Sequence, residues 1–140
     1  MLITRRSALL SAAVTSFAIV GRARAADTIK IGVVAPLTGP VAEPGRIQLN
    51  STRLATAKIN AAGGVLGRQI ELLVEDDAST NPGAVLAFSL LAQQNDIVGF
   101  IGSIRSTQMN AMAPDMLKVG KPVMFGGTDP TLTHQGNPWL

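Results

Sequence analysis

Asp96-Ile97-Val98-Gly99-Phe100-Ile101-Gly102 is the stretch that decides the fold. It is a short apolar run, rich in β-branched and aromatic residues, bounded by an acid and a glycine and without apolar–polar alternation. That composition reads as a strand buried on both faces. A few residues on, Met109, Met112, Ala113, Met116 and Leu117 recur at i, i+3, i+4, i+7 and i+8, which is one apolar stripe of an α-helix. A methionine stripe at that spacing is a packing face, since the flexible thioether fills irregular gaps. A two-faced strand feeding such a helix is the first half of a β-α-β unit.

The pattern repeats outward in both directions. Downstream, Pro122 to Phe125 reads as another strand, with Gly126 onward as loop to the end. Upstream, Thr28 to Ala35 is a β-rich run closed by Pro36. Gly45 to Ala62 has Ile47, Leu54, Ala55 and Ile59 at roughly helical spacing and ends in Gly63-Gly64, a helix-stop signal. Gln69 to Glu75 reads as a strand leading into Asp76-Asp77, and Asn81-Pro82 reads as an N-cap with proline in the first turn of a helix through Val85, Phe88 and Leu91. The order β-α-β-α-β-α-β predicts a doubly wound α/β fold, a parallel sheet with helices on both faces. Ligands of such sheets bind beyond the carboxyl ends of the strands near a switch in strand order, which selects loops 36–45, 76–81, 102–107 and 126–130.

A chain of 140 residues is material for one domain. It has no cysteine and one histidine, His134, which excludes a disulfide scaffold, a thiol nucleophile and a Cys- or multi-His-bound metal. The net charge of +3 is unevenly placed. Arg5, Arg6, Arg22 and Arg24 lie in residues 1–25 with no acid among them, and the rest carries eight Lys and Arg against nine Asp and Glu. No basic stripe remains for a phosphate backbone, so a nucleic-acid partner is not expected. Residues 1–25 themselves read as a secretory signal. A twin arginine precedes the uncharged run Ser7 to Val20, and Ala23-x-Ala25 offers small residues for cleavage after Ala25. The run is shorter than the ~20 residues that span a bilayer. Thr4-Arg5-Arg6-Ser7-Ala8-Leu9 also partly matches a twin-arginine signal, and the general secretory and twin-arginine routes stay open.

Two strand-end loops carry candidate chemistry. Gly102-Ser103-Ile104-Arg105-Ser106-Thr107 opens the third helix, where free N–H groups and the helix dipole receive anions. Ser106 adds a hydroxyl donor there, or it merely caps the helix. In Phe125-Gly126-Gly127-Thr128-Asp129-Pro130 the glycines allow close backbone approach and Thr128 offers a hydroxyl and an N–H, or the segment is a plain tight turn. The two loops face one cleft if their strands are neighbours. Elsewhere, Gly63-Gly64-Val65-Leu66-Gly67 follows a helix instead of a strand and reads as a turn, not a dinucleotide loop. Glu75-Asp76-Asp77 reads as solvated or as a cap rather than a cation site, and His134 as exposed. No Gly-x-Ser-x-Gly elbow surrounds Ser106, nothing assembles a catalytic group, and no cofactor or metal is expected.

Several of these segments together resemble a known family. They are Ile31-Gly32-Val33-Val34-Ala35-Pro36-Leu37-Thr38-Gly39-Pro40, Ile59 to Arg68, Asp76-Asp77 with Pro82, Gly102 to Ser106, and Thr128 to Thr133 with Gly136-Asn137-Pro138. In order and spacing they are similar to the start of a periplasmic solute-binding protein of ATP-driven importers, in the leucine/isoleucine/valine-binding branch. The resemblance implies a type I periplasmic-binding-protein-like fold of two α/β lobes closing on a solute. Residues 26–140 then form an incomplete first lobe, since the family's chains are much longer. It implies a non-enzymatic, periplasmic protein that hands a small carboxylate-bearing solute to permease and ATPase subunits at the membrane. The serine matching Ser106 and the threonine matching Thr128 hold the ligand carboxylate, and the carbonyl matching Gly126 takes the ammonium. Thr107, Gly127 and Arg105 complete the expected ligand-binding set.

Two departures bear on the ligand. Pro44 stands where an aromatic residue often covers it, and Arg105 stands where relatives carry a small residue or cysteine. Besides a branched-chain amino acid, an amide or an aromatic acid therefore stays open as the solute. The competing readings are a truncated product without independent binding and an exported doubly wound enzyme.

Overall fold

In the computed structural model, which describes residues 28–134 and 136–140, four strands alternate with three helices. They are β1 (Ile29–Ala35), α1 (Ala42–Ala61), β2 (Ile70–Asp76), α2 (Asn81–Ala92), β3 (Ile97–Ile101), α3 (Ser106–Val119) and β4 (Val123–Met124), followed by a 3-10 turn, Pro130–His134. All pairings are parallel and the order is β2-β1-β3-β4. The expected doubly wound class is therefore correct, and the switch in strand order falls between β1 and β3. The expected leader and its cleavage after Ala25 lie outside the described residues.

Successive β1 side chains point to opposite faces, and each face has its own core. Val34 joins Phe88 and Leu91 of α2, Phe100 of β3 and Met109, Met112 and Met116 of α3 in the larger one. The Phe88 and Phe100 rings lie 4.8 Å apart. Val33 and Ala35 pack with Leu49 of α1 on the other face, flanked by Leu72, Val74 and Ile101. Burying one large side chain of this kind is worth roughly 1.5–3 kcal/mol, so the α2–α3 face dominates the stability. The methionine stripe is a packing face as expected, except that Leu117 is half exposed and Gln108 is buried in its stead.

Helix α1 departs from the expectation in start and in face. It begins at Ala42, not Gly45, and seats itself through Ala42, Gly45 and Leu49. Ile47 and Leu54 are 60% and 59% exposed, and Ile59 is exposed too. Small residues on the seated side bring α1 close to the sheet, and the apolar period that suggested a buried face turns outward.

The other differences are local. The N-cap of α2 is Thr80, not Asn81: the Thr80 hydroxyl accepts from the Gly83 N–H at 3.0 Å. We predict that Thr80→Ala costs about 1 kcal/mol in urea unfolding, whereas Asn81→Ala stays within about 0.5 kcal/mol. The fourth strand is only two residues long, and on its outer edge the Val123 N–H donates to the Trp139 carbonyl at 2.8 Å. Gly63-Gly64 does end α1, with φ of 104° and 78°, a left-handed pair that glycine adopts without strain.

Candidate functional site

Because β3 and β4 are neighbours, the loops after them leave the same end of the sheet side by side. Ser106 is the first residue of α3. The residue before it, Arg105, has the extended backbone of an N-cap but provides no side-chain cap. The first intrahelical bond runs from the Met109 N–H to the Arg105 carbonyl at 3.0 Å. The N–H groups of Ser106, Thr107 and Gln108 therefore have no acceptor within the helix, and the positive end of its dipole is uncapped.

The hydrogen bonds of Ser106 reach outside its own segment. Its hydroxyl does not cap its own helix. It accepts the N–H groups of Thr128 at 3.0 Å and Asp129 at 3.1 Å, both from the loop after β4. A hydroxyl has two lone pairs and one proton; with both lone pairs taken, its remaining capacity is as a donor. The Thr128 N–H, expected to face a ligand, is used here instead. The Thr128 side chain is exposed, and its hydroxyl makes no hydrogen bond among the described residues.

The two glycines divide their work. A Cβ on Gly127 would lie 2.9 Å from Leu132 Cδ1 and 3.1 Å from Ser106 Oγ, so Gly127 permits the loop to close on Ser106. Gly126 is exposed, a Cβ there would meet only Ile104 at ordinary contact distance, and it lies on the rim of an open groove of about 280 Å³ also lined by Gln48, Ile101, Ile104, Met124 and Phe125. Thr107 and Arg105 are exposed, and no hydrogen bond joins them to the loop after β4 among the described residues. Pro44 is exposed in the first turn of α1, and His134 is exposed beside the Pro130 carbonyl.

Local reading missed several residues that hold the site. Asp129 caps the 3-10 turn by accepting the Thr131 N–H and hydroxyl at 2.9 and 2.7 Å, and it accepts from Asn110 of α3 at 3.2 Å. The Thr131 bonds draw its carboxyl below the ordinary value. Asp129-Pro130 is a cap-then-proline signal that sequence alone could have supplied. Asp77, expected to be solvated or a cap, is fully buried and bonded to Ser103 at 2.7 Å and Gln108 at 3.0 Å. Burial pushes the Asp77 carboxyl up and the neighbouring Asp76 charge adds to this, while Ser103, the Ser79 N–H and Arg105 pull it down.

Asp76 stitches the rim together. It accepts the N–H groups of Leu37, Thr38 and Ala78 and the Thr38 hydroxyl at 2.6–3.2 Å. Burial pushes its carboxyl up, but these bonds outweigh that and hold it below the ordinary value. Among the described residues no group of three side chains is placed to hold a metal ion.

A periplasmic binding protein family profile matches residues 28–140. The chain is 34% identical to the leucine-, isoleucine-, valine-, threonine- and alanine-binding protein of Pseudomonas aeruginosa over 95% of its own length and 36% of the relative's. It is 28% identical to the leucine-specific-binding protein of Salmonella typhimurium over 97% of its length and 37% of the relative's. The chain thus spans about a third of the length of these relatives. Its fold matches the branched-chain amino acid transporter substrate binding protein LivJ of Streptococcus pneumoniae, solved with isoleucine, at a TM-score of 0.77 and 32% identity. That match covers 81% of this chain and 32% of the other. The chain belongs to the periplasmic binding protein family, with Leu/Ile/Val-binding members among its relatives.

Proposed function

We propose that residues 26–140 supply the first lobe of a periplasmic solute-binding component of an ATP-driven importer. The solute is a small carboxylate-bearing molecule, a branched-chain amino acid in the first instance. The observation that carries this reading is the Ser106 hydroxyl, whose two accepted N–H bonds leave its proton to donate beside the uncapped start of α3. A carboxylate placed there gains charge-assisted hydrogen bonds of ~1.5–3 kcal/mol each. In this reading Ser106, the Thr107 N–H and the Thr128 hydroxyl hold the carboxylate, and the Gly126 carbonyl takes the ammonium. Gly127 sets the loop's closeness, and Arg105 adds positive charge at the rim. The ligands in the names of the relatives agree with this chemistry. Permease and ATPase subunits are the partners that such a carrier serves, and the role requires no catalytic step.

Calorimetry of the protein carrying both lobes with L-leucine, L-isoleucine and L-valine, each against its amino alcohol, tests the reading. The amino acids are expected to bind and the alcohols, which lack the carboxylate, to bind at least tenfold more weakly. Equal affinity within each pair would overturn it, and turnover of a solute would favour an enzyme.

A further inference from the structure

We infer that the buried Asp77–Ser103–Gln108 hydrogen-bond network is the positioning device of the site, holding Ser106 in register with the loop after β4. This rests on the carboxylate-site reading above. The three side chains come from three places: the start of the β2–α2 loop, the loop after β3 and the first turn of α3. Asp77 Oδ2 accepts the Ser103 hydroxyl at 2.7 Å, and Oδ1 accepts the Gln108 side-chain amide at 3.0 Å and the Ser79 N–H at 2.8 Å. Ser103 also lies 3.1 Å from Gln108 Oε1, which closes the triangle. All three side chains are essentially without solvent contact.

A buried carboxylate without an ion-pair partner is expensive, and a well-packed apolar trio would fill the space at no such cost. What the polar trio adds is direction. Gln108 lies two residues after Ser106 in the same helical turn, so its bond to Asp77 fixes both the rotation and the depth of the α3 terminus. From that terminus Ser106 reaches the Thr128 and Asp129 N–H groups, and Asn110 reaches the Asp129 carboxylate. Hydrogen bonds joined through the backbone of α3 thus link the β2–α2 loop to the β4 loop. Asp77, Ser103 and Gln108 are positioning residues, since they act through Ser106.

Amide hydrogen exchange on the whole chain tests this. Gln108→Met keeps the volume but removes the amide. It is expected to speed exchange at the Thr128 and Asp129 N–H groups about tenfold or more, the equivalent of losing one hydrogen bond to a charged group. Val33 and Phe100 in the central strands should stay as protected as before. Ser103→Ala is expected to act in the same direction, and it decides the matter if Gln108→Met loosens the core as well. Unchanged exchange at Thr128 and Asp129 in a variant with a protected core would overturn the inference. L-leucine binding by the two-lobe protein is read separately. Its failure, with that of other small carboxylates, would overturn the binding proposal, while the exchange result decides the network's role by itself.

Discussion

Ser106→Ala is expected to weaken binding of L-leucine or another small carboxylate by about 10- to 100-fold, from the ~1.5–3 kcal/mol of a hydrogen bond to a charged group. The loss has two sources. The ligand is deprived of a donor. In addition, the Thr128 and Asp129 N–H groups lose their acceptor, so the β4 loop is freed from α3. The second effect separates this account from a simple missing contact: Thr128→Ala leaves both N–H groups bonded and should cost less than Ser106→Ala. Calorimetric titration of the two variants side by side checks the order. An unchanged affinity in Ser106→Ala would reduce the residue to a loop tie.

Gly45→Ala is expected to destabilise the protein by about 2–3 kcal/mol, although the same change inside an exposed helix ordinarily stabilises by about 1 kcal/mol. A Cβ at Gly45 would lie 1.8 Å from the Pro36 carbonyl oxygen and 2.7 Å from its carbon. Backbone, not a movable side chain, stands in the way, so α1 must lift from β1. The same helix reaches the site through Gln48, whose amide donates to the Gly102 carbonyl at 2.8 Å at the start of the β3–α3 loop. Lifting α1 should therefore loosen the loop that carries Ser106 as well as lower the urea midpoint. A neutral or stabilising Gly45→Ala would show that α1 and Pro36 are not in this close contact.

What was legible in the sequence was what local pattern determines. The apolar run Ile97–Ile101 marked a central strand, but it is not buried on both faces as expected: Ile97 and Phe100 are buried, whereas Val98 is 51% exposed. The methionine spacing marked the buried side of α3. The adjacency of the β3 and β4 loops was a condition that the sequence left open, and the parallel pairing of β3 with β4 meets it. The failures occurred where the deciding partner is far along the chain. Ile47, Leu54 and Ile59 have a credible period, but α1 is seated by Ala42, Gly45 and Leu49, whose small size matters only against Pro36 and the sheet. On that same side Met124 is 76% exposed, because α1 covers β1 and β2 and stops short of β4.

Distance along the chain also hid the site's framework. Asp77 meets Ser103 and Gln108 across 26 and 31 residues, so nothing in Glu75-Asp76-Asp77 alone distinguishes a buried carboxylate from a solvated one. Ser106 meets its partners 22 and 23 residues on, and both alternatives read from its own segment overlooked that role. The resemblance pointed to these two loops, whereas only the three-dimensional arrangement indicates why Gly127 is a glycine and where the Thr128 N–H goes.

Amide resonances followed by NMR during titration with L-leucine, and in parallel with L-leucinol, test the central claim most directly. The account predicts saturable shifts at Ser106, Thr107 and Thr128 with L-leucine and little change there with L-leucinol. Identical responses to both compounds, or shifts confined to residues remote from the ends of β3 and β4, would contradict it.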